Sequence, residues 1–250
     1  FGNLTPLNLQ GEMERHIACF AVREWLIGKD GKIDQWLREQ QESRVFWVIG
    51  GPGTGKSAIA TQLAHRRGDV GAIHFCVHGH AEFTDPEKAI RSIAFQLATH
   101  LPAYQKRLQD LDLEADTRLN SFTLFYKLIV SPLAELKGTS DRPPGPLLVV
   151  IDALDEATHD GVNEIADAIA RCWKDTPRWL RLVITSRKDD RLAEAFSSND
   201  FLPFTLDTES EPNKKDVRDY LSKQLAIFLG ASPGCEVVEN LLTKSEGVYL

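Results

Sequence analysis

Apolar residues in this chain gather into short unbroken runs, separated by longer stretches with helical spacing. Runs at 44–49 (RVFWVI), 72–77, 147–151 (LLVVI), 181–185 (RLVIT) and 202–206 have strand length, the pattern of strands buried on both faces. Between them the apolar period changes to three and four, predicting helices over 56–67, 86–101, 119–137, 162–173 and 189–196. Pro86 suits a first helical turn, where its missing N–H costs little, whereas Pro132 is expected to interrupt the helix at 119–137. A Pro/Gly loop, GTSDRPPGP, fills 138–146. Strands alternating with helices predict an α/β fold in three layers, a parallel sheet covered on both sides.

The two ends depart from this rhythm. Gly28, Asp30 and Gly31 break the lead-in before Ile33, Trp36 and Leu37 resume helical spacing. From Pro212 onward only helices are predicted, near 213–229 and 235–245. The expected organisation is a lead-in over 1–40, an α/β core over 41–206, and the start of a helical domain over 207–250. That last part reads as truncated, since an apolar run is only opening at Gly247-Val248-Tyr249-Leu250 and the chain begins at Phe1 without an initiator Met. The expectation is a fragment of a longer chain.

Composition narrows the function classes. The chain has 250 residues, room for one core and a small helical appendage. Its 42% hydrophobic and 26% charged content is that of an ordinary soluble globular protein. The net charge is −7 and the longest basic run is His65-Arg66-Arg67, so no nucleic-acid partner is expected. No apolar stretch approaches membrane-span length and no signal peptide is visible. Cysteines at 19, 76, 172 and 235 form no C-x-x-C pair, which argues against a zinc ribbon and for a reduced, cytoplasmic setting.

The chemistry is concentrated at the ends of three predicted strands. Gly50-Gly51-Pro52-Gly53-Thr54-Gly55-Lys56-Ser57 matches G-x-x-x-x-G-K-[ST], with a strand before it and a helix after it. Such a loop needs glycines because its backbone wraps a phosphate closely, so that successive N–H groups converge on the anion at a helix N-terminus. Residues 51–58 (Gly51, Pro52, Gly53, Thr54, Gly55, Lys56, Ser57 and Ala58) are therefore expected to hold a nucleotide. Lys56 would reach the β- and γ-phosphates, and Ser57 would ligate Mg²⁺. The run 147–151 ends in Asp152, expected beyond the same sheet edge as a second Mg²⁺ contact. Asp155 or Glu156 would orient the attacking water. The run 181–185 leads through Ser186 to Arg187, whose guanidinium would touch the γ-phosphate and report its presence.

Together these motifs resemble the NACHT-type signal-transduction ATPases with numerous domains, the group that includes NOD-like receptors. The specific mark is Asp152-Ala153-Leu154-Asp155-Glu156: a Mg²⁺ aspartate, a tiny residue, then displaced acids. The segment Cys19-Phe20-Ala21-Val22-Arg23-Glu24 is similar to the family's C-x-G-x-R-E lead-in, with Ala21 for the usual Gly, and implies that Val22 and Arg23 border the adenine. Ser186-Arg187 resembles the family's first sensor. Tyr249 stands where many relatives have the Pro of G-x-P. The resemblance covers about 15–250. It implies a switch with slow ATP hydrolysis, an ADP-bound monomer against an ATP-bound oligomer, self-association through flanking domains, and control of a larger signalling or innate-immunity protein. Two other classes stay open: a constitutive AAA+-like ATPase, and a scaffold with structural nucleotide.

Two patterns compete with this reading. Asn213-Lys214-Lys215-Asp216 matches the guanine-reading N-K-x-D motif, but no apolar strand precedes it, so Asn213 is expected to cap a helix and adenine is expected over guanine. His74, Cys76, His78 and His80 alternate, but along a straight strand they would not surround a tetrahedral metal, so a structural role is expected.

Overall fold

The computed structural model describes residues 4, 6–17, 23–39, 43–111, 119–136, 139, 141–230 and 232–249. Five parallel strands, β1 (Val45–Ile49), β2 (Val70–Phe75), β3 (Leu147–Asp152), β4 (Leu180–Ser186) and β5 (Phe201–Thr205), form one sheet in the order β2-β3-β4-β1-β5. Every strand predicted from an apolar run is present. β2 starts two residues earlier than expected, where Gly71 makes room: a Cβ there would lie 2.8 Å from Leu147. Alternate residues of each strand feed two cores. Phe46, Val48, Leu148, Val150 and Val183 enter one, while Val45, Trp47, Val149, Ile151, Leu182 and Ile184 enter the other.

On the first face lie the lead-in helices α1 (Gln10–Ile17), α2 (Glu24–Ile27) and α3 (Lys32–Arg38), together with α4 (Lys56–Arg66). A short α5 (Ala81–Thr84) leads into α6 (Pro86–His100), which opens with an Asp85 cap and Pro86 in its first turn. The sequence reading missed α7 (Pro102–Gln109), whose Tyr104 and Leu108 are fully buried.

Pro132 does not interrupt its helix as expected. A helical path runs through α8 (Ser121–Phe125), a π-helical turn (Tyr126–Val130) and α9 (Ser131–Ala134). Pro132 has no N–H for the carbonyl of Leu128 four residues back. The buried Tyr104 hydroxyl donates to that carbonyl instead, at 2.6 Å. Helices α10 (Glu164–Cys172) and α11 (Asp190–Ala195) complete the second face.

Beyond β5, α12 (Glu211–Leu229) and α13 (Cys235–Ser245) pack on each other around Val217, Leu242 and Tyr249. No described helix is long and apolar enough to cross a membrane.

Strand order decides where the chemistry sits. β4 lies between β1 and β3, with Ile49 paired to Ser186 and Ile151 to Ile184. The carboxyl ends of the three strands therefore reach one edge, and connections leave β1 and β4 in opposite directions across the sheet. This divergence is where α/β sheets bind ligands.

Candidate functional site

The loop from Gly50 to Gly55 joins β1 directly to α4. Gly53 and Gly55 have φ of +70° and +79°, in the left-handed region that a side chain opposes. Gly50 has a different constraint, for a Cβ there would lie 2.5 Å from the Thr54 hydroxyl. Thr54 is buried and donates to the Gly51 carbonyl at 2.9 Å, bracing the turn. Lys56 Nζ donates to the carbonyls of Gly50 and Gly51, both at 2.8 Å. Burial pushes the Lys56 ammonium down from its ordinary value; Asp155 and Asp152 oppose that fall, and Arg187 adds to it.

Across the edge, Asp152 is 2% exposed and accepts from the Thr185 hydroxyl at 2.5 Å. The same Thr185 oxygen accepts from the Ala153 N–H at 3.0 Å. Ala153 has φ +52° and ψ +44°, so the chain turns sharply off β3 into a 3₁₀ turn, Leu154–Ala157. This turn swings Asp155 and Glu156 back over the edge. Asp155 accepts from the Arg187 backbone N–H at 3.0 Å, and its other oxygen lies 3.6 Å from Arg187 Nε. Glu156 accepts from the His78 N–H at 2.9 Å and pairs with Arg187 Nη2 at 3.4 Å. The sequence-predicted sensor and both candidate water-orienting acids are thus one cluster.

A cavity of about 250 Å³ collects most of these groups: Pro52, Gly53, Gly55, Lys56, Ser57, Ala58, Asp155, Glu156 and Arg187, with Ala153 and Tyr249. Asp152 lies buried behind it. Gly51 opens instead toward a neighbouring apolar groove at β5. Val22, with Cys19, Phe20 and Ala21, lies outside the described residues. Arg23 is described and is 2% exposed, donating to the Thr54 carbonyl at 2.7 Å.

Sequence reasoning missed how the tail joins this site. Tyr249 N–H donates to the Gly53 carbonyl at 2.8 Å, and the Arg23 guanidinium lies 5.3 Å from the Tyr249 ring centre. Asn213 is not the cap of α12; Ser210 holds that position and contributes no side-chain bond. Asn213 is buried in the first turn, accepting from Arg23 at 3.0 Å and donating to the carbonyls of Thr208 and Gly247 at 2.9 and 2.8 Å. Three residues on, on the same face of α12, Asp216 accepts from the Trp25 indole at 2.6 Å. The N-K-x-D pattern is therefore a structural junction between lead-in and tail.

The alternating His/Cys set also resolves. β2 ends at Phe75, so His78 and His80 leave the strand line, and His74 is buried with Nε2 2.9 Å from the Phe83 carbonyl. Among the described residues no group of three or more His, Cys, Asp or Glu side chains could hold a metal. A cation at the strand edge, as the sequence predicts it, would take Ser57 and Asp152 as protein contacts, with phosphate oxygens and water completing the shell. That donor set fits Mg²⁺, which keeps waters and is commonly shared with substrate phosphates. The left-handed glycines equally fit a phosphate cradle, since neither position admits a Cβ without strain.

The architecture is that of an α/β P-loop NTPase. Among solved structures, the chain is similar to a Walker-type ATPase of Pyrococcus abyssi (TM-score 0.49, 12% identity, covering 94% of this chain and 62% of that one). It is also similar to the Orc1 protein of Aeropyrum pernix, solved in complex with DNA (TM-score 0.39, 16% identity, covering 89% of this chain and 50% of that one). The chain thus spans less than two thirds of the length of either. No curated protein sequence matches it. The family described as "Nephrocystin 3, N-terminal", a NACHT-related NTPase region, matches residues 22–187, from the lead-in through the loop and acidic strand to Arg187, and the chain belongs to that family.

Proposed function

We propose that this chain is a NACHT-type ATP/ADP switch, with slow hydrolysis, that controls the assembly of a larger signalling protein of the innate-immunity kind. One observation carries the reading: the phosphate loop is held by both flanks. The tail grips it through Tyr249 on Gly53, the lead-in grips it through Arg23 on Thr54, and Asn213 ties the two grips together. A ligand that alters the loop therefore acts on the tail in the same step, which a switch requires and steady turnover does not.

In this reading Lys56 and the loop amides hold the β- and γ-phosphates. Ser57 and Asp152 hold Mg²⁺, which supplies charge to offset that on the phosphoryl oxygens. Asp155 or Glu156 orients water. Arg187 is the discriminator. It pairs with both acids across the cavity, so a γ-phosphate would compete for its guanidinium and a diphosphate would not. As the resemblance implies, Arg23 borders adenine.

Titrations of Arg187→Ala with ADP and a non-hydrolysable ATP analogue are expected to show ADP affinity kept and triphosphate selectivity lost. An equal fall in both affinities sinks the sensor role. Hydrogen exchange across 207–249 should differ between the two nucleotides in the wild type. Identical exchange would point to a structural nucleotide, and steady DNA-stimulated turnover to a constitutive ATPase.

A further inference from the structure

The sheet edge opposite the loop carries a second, chemically different concavity. Strands of five to seven residues place it roughly 20 Å from the phosphate loop. It is a cavity of about 570 Å³, built where the chain enters β1, β3, β4 and β5. Its lining includes four cations, Arg44, Arg142, Lys174 and Arg178, against two carboxylates, Asp175 and Asp200.

These charges are not equivalent. Arg44 is 5% exposed and held rigidly: its guanidinium donates to the carbonyls of Thr176 and Trp173, both at 2.7 Å, and Nε lies 3.5 Å from Asp200. Asp200 is thereby matched to Arg44. Arg142, Lys174 and Arg178 are exposed, and none of them has an ion pair or side-chain hydrogen bond among the described residues. Asp175 is the one lining carboxylate left to oppose all three. Burial makes both Arg44 and the neighbouring Arg181 harder to protonate, and the charge of Arg178 adds to the effect in each. In a chain of net charge −7, three exposed cations without an ion pair among the described residues line one concave surface. A multivalent anion would be attracted to that surface.

We infer that this cavity is a second anion site, independent of the nucleotide site, taking a ligand with clustered phosphate groups. Forked guanidiniums match phosphate oxygens, and a single orthophosphate would span too little of a cavity of this size to meet Arg142, Lys174 and Arg178 together. A soluble polyphosphorylated small molecule and a phosphoinositide headgroup share this chemistry.

The test uses tripolyphosphate as the soluble probe, titrated calorimetrically into Lys56→Ala, where the nucleotide loop no longer competes. Saturable binding is expected, and adding Arg142→Gln and Arg178→Gln should weaken it at least tenfold. The same two substitutions in the wild type should leave ADP affinity and melting temperature unchanged. A second arm floats the protein with phosphatidylcholine vesicles carrying 5% phosphatidylinositol bisphosphate. Flotation that the double substitution abolishes supports the site and assigns a headgroup; tripolyphosphate binding without flotation supports it and assigns a soluble ligand. Absence of both, or binding indifferent to the substitutions, overturns the inference.

Discussion

Thr185 is a hydrogen-bond partner of the buried Asp152 carboxylate. Asp152 is almost wholly withdrawn from water, and a carboxylate there is tolerable only when hydrogen-bonded. The Thr185 hydroxyl donates to it while accepting from Ala153 N–H, so one oxygen serves two strand ends. Thr185→Val keeps the shape and removes both bonds. It is expected to cost about 1–3 kcal/mol in urea unfolding and to weaken Mg²⁺-dependent nucleotide binding, with Thr185→Ser restoring both. His74 gives a pH signature. Burial pushes its imidazole down to about 4. Between the ordinary value near 6.5 and 4, the unfolded chain binds a proton that the folded chain refuses. Stability is thus full above about pH 6.5 and falls on acidification, by about 3 kcal/mol at pH 4. Melting curves across that window should flatten in His74→Gln, which retains an N–H for Phe83.

At the scale of elements, the 3₁₀ turn after β3 depends on one backbone conformation. Ala153 at φ +52° is strained, and a branched side chain there is worse. Ala153→Gly is expected to be neutral or stabilising, whereas Ala153→Val should cost about 1–3 kcal/mol and, by moving Asp155 and Glu156, depress ATP hydrolysis. Chemical denaturation and a phosphate-release assay would check the pair. The strands were legible because parallel strands buried on both faces leave apolar runs that little else produces, and the loop was legible because its glycines, Lys56 and Ser57 are contiguous. Helix α7 was hidden by Pro102, which reads as a terminator of α6 although it occupies the first turn of a new helix. Tyr104, Leu108 and Leu111 did carry the helical period. The path through Pro132 was misjudged because its rescue comes from Tyr104, 24 residues before Leu128.

At the scale of the whole molecule, the junction of lead-in and tail was illegible for a simple reason. Arg23 and Asn213 stand 190 residues apart, and no local period encodes such a contact. Read locally, Asn213 has the composition of a cap; in the fold it is a buried hub with three partners. Asn213→Ala would leave the Arg23 guanidinium and the Gly247 and Thr208 carbonyls without it. It is expected to raise hydrogen exchange throughout 211–249 and to lower nucleotide affinity, while exchange in β3 and β4 stays protected. Uniform loss of protection would mean that the junction serves the whole fold rather than the tail.

That 190-residue separation also bears on how the protein is made. A ribosome adding roughly 5–20 residues per second leaves on the order of ten to forty seconds between the appearance of Arg23 and that of Asn213. Through that interval the strands, Asp152 and Arg187 can all emerge and pair, while the Arg23 guanidinium lacks the tail that will enclose it. The Arg23 flank of the phosphate loop is therefore among the last parts of the described chain to close during translation. A nascent chain can own an entire P-loop motif and still lack the buried junction that joins the loop to the tail.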